Sequence, residues 1–77
     1  MLGFKKATMV EVFKTTVKNE VESEQVIAVL QKVFANARIN FDLEDCDNIL
    51  RIEADIIDTN LVSSILLHHG YNSEVLN

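Results

Sequence analysis

Arg38-Ile39-Asn40-Phe41-Asp42-Leu43 and Ile49-Leu50-Arg51-Ile52-Glu53-Ala54 alternate in polarity, and Glu44-Asp45-Cys46-Asp47-Asn48 lies between them. A period of two marks strands with one buried face, and the intervening acids and amide suit a hairpin loop. A turn centred on Asp45-Cys46 sets Phe41 opposite Leu50, Ile39 opposite Ile52, Arg38 opposite Glu53 and Asn40 opposite Arg51. Apolar side chains then meet on one face and opposite charges on the other. A slip of one residue would place each apolar side chain against a polar one, so the register is well specified.

Working towards the N-terminus, Met9 to Val17 is rich in β-branched and aromatic residues and reads as a strand. Val10 and Val12 share one face of it; Met9, Glu11 and Phe13 share the other. The period then changes. Val26, Ile27, Leu30, Val33, Phe34 and Ala37 recur at three- and four-residue spacing, the stripe of an amphipathic helix. Its entry is open between Asn19 and Ser23, and the pair Asn19 and Glu22, which imitates a capping box, favours Asn19 or Glu20. Beyond the hairpin, Asp58 or Thr59 caps a second helix with Leu61, Val62, Ile65, Leu66 and His69 on its inner side. Gly70 follows where a left-handed terminator belongs, and Tyr71 to Leu76 is long enough for a last strand. The order strand, helix, hairpin, helix, strand predicts an α+β, ferredoxin-like βαββαβ sandwich, with a four-stranded antiparallel sheet and two helices on one face.

The 77 residues suffice for one domain over 1–77, with its core at about 9–76. Twelve acidic side chains against seven basic give a net charge of −5, and only Lys5-Lys6 pairs basic residues, which argues against nucleic acid as a partner. No apolar run approaches the ~20 residues of a membrane span, and the start of the chain lacks the apolar core of a signal peptide. Cys46 is the sole cysteine. Without a disulfide framework, the expected location is cytoplasmic.

The spacing of Val26, Leu30 and Val33, the segment Ile39-Asn40-Phe41-Asp42-Leu43, and Val62 and Leu66 leading into Gly70-Tyr71 resemble the heavy-metal-associated domain family. That family comprises the small copper- and zinc-handling modules of metallochaperones and metal-pumping ATPases. The resemblance covers roughly residues 9–76 and implies a Met-x-Cys-x-x-Cys loop at the start of the first helix, where paired thiolates grip a soft ion. In this chain Val17 stands at the Met, Asn19 at the first Cys and Glu22 at the second. The metal motif is absent, so the resemblance implies a degenerate member without the family's cofactor chemistry.

Other groupings each have a plain structural alternative. Asn19, Glu20 and Glu22 would fall short of the oxygen ligands a hard cation requires. Asp45, Cys46 and Asp47 belong to an acid-rich loop that is either solvated or a non-standard metal site. His68 and His69 are adjacent in a helix and diverge by ~100°, unlike an i, i+4 ligand pair. Ser63 and Ser64 have histidines nearby but no third partner, and neither a phosphate loop nor the loop arginine of acylphosphatases, which share the topology, is present. With Val10 and Val12 turned to the helices, Met9, Phe13 and Ile49 would form an apolar patch on the open sheet face, unless a bulge near Lys14 turns Phe13 inward. The expectation is a non-enzymatic interaction or regulatory module, binding a protein partner or itself through that face. A metal site in the Cys46 hairpin is the alternative, and small-molecule sensing a third reading.

Overall fold

In a computed structural model, which describes residues 9–44 and 46–76, six elements follow in the expected order. They are β1 (Met9–Thr15), α1 (Glu20–Val33), β2 (Arg38–Asp42), β3 (Ile49–Ala54), α2 (Thr59–His68) and β4 (Ser73–Leu76). The strands form one antiparallel sheet in the order β2-β3-β1-β4, which makes the fold ferredoxin-like. Val26 and Leu30 of α1 and Val62 and Leu66 of α2 bury against Phe13, Leu50 and Ile52 of the sheet. No helix among the described residues is long and apolar enough to cross a membrane.

The hairpin register is the one its alternation dictates: Arg38 faces Glu53, Ile39 faces Ile52, Asn40 faces Arg51 and Phe41 faces Leu50. A further pair, Asp42 with Ile49, closes the ladder, so the loop runs over residues 43–48 rather than as a two-residue turn. Asn48 leaves it at φ 50°, a left-handed conformation that a short amide side chain tolerates.

β1 presents the opposite face from the one its valines suggest. Phe13 lies opposite Leu50 and Glu11 opposite Ile52, and directly opposed residues share a face. Phe13 is therefore on the helix side, fully buried. Val10 and Val12 lie on the open side, opposite Glu53 and Arg51. Pairing from Met9 to Lys14 is continuous, so no bulge is involved; the whole strand is turned over. The physical reason is size: a phenylalanine withdraws more apolar surface from water than a valine, and β1 is a central strand. The proposed patch of Met9, Phe13 and Ile49 does not exist as such. Met9 shares the side of Phe13 and is partly exposed at the strand end, and only Ile49 lies on the open face.

Each helix is closed by local bonds. Asn19 caps α1, and the last turn is tied to the connection leading into β2 by Gln31, whose Nε2 donates to the carbonyls of Phe34 (3.2 Å) and Ala37 (2.8 Å). Val33, counted in the apolar stripe, is 47% exposed at the end of the helix. Asp58 caps α2 by accepting from the Leu61 N–H at 3.1 Å. At the other end the Tyr71 N–H reaches the Leu66 carbonyl and the Gly70 N–H reaches that of Leu67, both at 2.9 Å, a Schellman arrangement. Gly70 adopts φ +91°, which explains a glycine there. His69 is the C-cap and is exposed, not on the inner side of the helix.

Candidate functional site

The chemistry that the resemblance predicts would sit in the loop between β1 and α1. Thr15 anchors this loop. Its N–H donates to the carbonyls of Asp47 and Asn48, both at 3.2 Å, and its hydroxyl donates to the Asn48 carbonyl at 2.7 Å. The same hydroxyl accepts the Val17 N–H at 3.2 Å. Thr16 fastens the other flank: its N–H donates to the Asn72 carbonyl at 3.1 Å, and its Oγ1 accepts the Asn72 N–H at 3.0 Å. The loop is thus stitched to the β2–β3 loop on one side and to the start of β4 on the other. Val17, which the resemblance sets at the place of the Met, is fully buried in the core.

Asn19 and Glu22, which the resemblance sets at the places of the two cysteines, both serve the backbone. Asn19 Oδ1 accepts the Glu22 N–H at 2.9 Å. Glu22 Oε1 reaches back to accept the Lys18 N–H, also at 2.9 Å. This is a capping box displaced by one residue, since the usual partner of the carboxylate is the N-cap N–H itself. Ser23 completes the turn by donating its hydroxyl to the Glu20 carbonyl at 2.9 Å. An amide oxygen and a carboxylate, each already bonded to an N–H, do not fit a soft ion that selects thiolates.

The acid-rich loop offers no better centre. Among the described residues no group of three or more His, Cys, Asp or Glu side chains could hold a metal ion. Cys46 is a free, exposed thiol, and one Asp47 carboxylate oxygen lies 3.8 Å from Lys14 Nζ. Asp45 lies outside the described residues. The His68 and His69 rings stand edge to face with centroids 5.4 Å apart, both exposed, so they do not aim at a common point. The Ser63 hydroxyl pairs with that of Ser73 at 3.2 Å rather than with a histidine.

Two surfaces among the described residues bear on binding. On the open face Val10, Val12, Ile49 and Leu76 are interleaved with charges that oppose one another in register, Arg38 across from Glu53 and Lys14 across from Glu74. The second surface was not foreseen: a groove of about 520 Å³ between α1 and β2. Glu20, Glu24 and Ile27 form its helical wall, and Ile39, Phe41 and Leu43 form its sheet wall. Glu20 and Glu24 stand four apart and share a helix face, which is the one sign of it the chain carries locally. No protein-family model, curated protein or solved structure matches this chain.

Proposed function

We propose that this domain is a non-enzymatic protein-interaction module on a scaffold like that of heavy-metal-associated domains, with its metal loop turned into a helix cap. The observation that carries the reading is the closed set of bonds among Lys18, Asn19 and Glu22. Those bonds use the two positions where a soft ion would need sulfur, and they satisfy N–H groups that a helix start otherwise leaves to water. The ferredoxin-like sheet and the solvent-facing groove support a binding role, and the acidic balance favours a basic partner over nucleic acid. The exposed single thiol of Cys46 fits a reducing compartment such as the cytoplasm.

Anaerobic titration with copper(I) and zinc tests the reading. The chain is expected to take up neither ion at about micromolar concentration, a level that corresponds to roughly 8 kcal/mol of binding. The double variant Asn19→Cys, Glu22→Cys should gain copper(I) binding, showing that the method detects a site in this loop. Stoichiometric uptake by the unaltered chain would overturn the reading. Loss of that uptake in Cys46→Ser would transfer the function to the acidic loop.

A further inference from the structure

The geometry points to the groove between α1 and β2 as the docking site of an extended peptide segment that carries lysine or arginine at alternate positions and adds to the sheet beside β2. The inference deepens the interaction-module reading and rests on it.

The sheet order leaves β2 at one edge, paired with β3 on one side only. An edge strand presents backbone donors and acceptors to a further strand, and proteins usually blunt such edges with proline or bulges. The chain has no proline, and the pairing of β2 with β3 runs unbroken from Arg38 to Asp42. Among the described residues, therefore, no strand pairs with the outer side of these five regular residues beside the groove.

The lining decides what fits. Ile27, Ile39, Phe41 and Leu43 are each half-buried and supply an apolar floor, while the Glu20 and Glu24 carboxylates stand exposed on the helical wall and Glu44 at the loop end. Among the described residues no lysine, arginine or histidine lines the groove. In an added strand every second side chain would face α1. A lysine or arginine in that position lays its hydrocarbon stem on the apolar floor and carries its charge to the carboxylates above. An acidic segment would meet like charge, and a wholly apolar one would leave the carboxylates beside dry surface. The other edge strand, β4, is a poorer candidate. It has four residues, and the depression of about 190 Å³ at its start is shared with β1, lined among the described residues by Lys14, Thr15, Thr16, Asn72, Ser73 and Glu74, none of them a large apolar side chain.

The test is an amide NMR titration of the full chain with a capped peptide of about seven residues, strand length, alternating lysine and valine. A peptide alternating glutamate and valine is the control. Shifts are expected to concentrate in residues 20–27 and 38–44, with affinity falling as salt rises. Glu20→Gln with Glu24→Gln should weaken binding about tenfold, since removing charge pairs at a rim acts on affinity and salt dependence. Both side chains are exposed, and an unchanged melting temperature confirms that the variant folds. Absence of shifts at about millimolar peptide, equal binding of the glutamate peptide, or shifts on β4 or the open face would each overturn the inference. So would a dimer, seen by sedimentation, that the lysine peptide fails to dissociate, because a second copy would then own the groove. A chain that binds neither copper nor peptide keeps the metal-free reading and loses only this docking site; a chain that binds copper at Asn19 and Glu22 loses the reading itself.

Discussion

The loop before α1 and the groove beside it draw on the same first turns of the helix, yet their polar groups do opposite things. In the loop Asn19 and Glu22 each accept a backbone N–H, and the Thr15 and Thr16 hydroxyls bridge to neighbouring segments. In the groove the Glu20 and Glu24 carboxylates have no hydrogen-bond or ion-pair partner among the described residues and face solvent. Glu20 and Glu22 differ in role although only one residue separates them. Residues two apart on a helix point about 200° apart, so one carboxylate meets unsatisfied donors and the other meets water. Residue type alone does not tell a structural acid from one that is free to bind.

Substitutions can break or sharpen this contrast. The largest effect belongs to Phe13, on whose burial both regions rest. Phe13→Ala is expected to cost about 3–5 kcal/mol in urea denaturation. A domain of this size has only roughly 4–12 kcal/mol in total, so the variant should be close to unfolding. A cost under about 1 kcal/mol would mean that β1 does not show this face to the helices. Next comes Thr15→Val, which keeps the shape and removes the hydroxyl that holds Val17 N–H and the Asn48 carbonyl. Leaving those groups short of partners should cost about 1–3 kcal/mol, and a neutral result would show that the loop is not sealed as described. Asn19→Ala should cost about 1 kcal/mol in the same assay, with Asn19→Asp recovering most of it. The smallest change is expected from Glu20→Gln with Glu24→Gln, within about 0.5 kcal/mol of the parent. A larger loss would mean these carboxylates are structural after all and would erase the contrast.

How much of this was written in the chain differs from segment to segment. The β2–β3 register was legible because apolar pairing and charge pairing agree on one alignment only. The cap of α1 was legible because its partners are three residues apart and the helix geometry does the rest. The face of β1 was not. Both of its faces carry apolar side chains, Val10 and Val12 against Met9 and Phe13, so alternation gives the period without the phase. The phase comes from the distant partners Leu50 and Ile52, and it went to the larger side chain. The groove was illegible for a related reason. Its acids come from residues 20 and 24 and its floor largely from residues 39–43, segments that meet only once β2 takes the edge of the sheet. His69 was misplaced because the helical period was carried one residue past the last full turn, onto the cap.

The small ring of bonds among Lys18, Asn19 and Glu22 has a bearing on how the domain lives in a cell. On the proposed reading, a fold whose opening is clasped by its own side chains owes nothing to the supply of a scarce nutrient. Chelators should leave its melting curve where it was, and newly made chains should mature at the same pace in starved and replete cells. The proposed docking would then be set at synthesis rather than by loading.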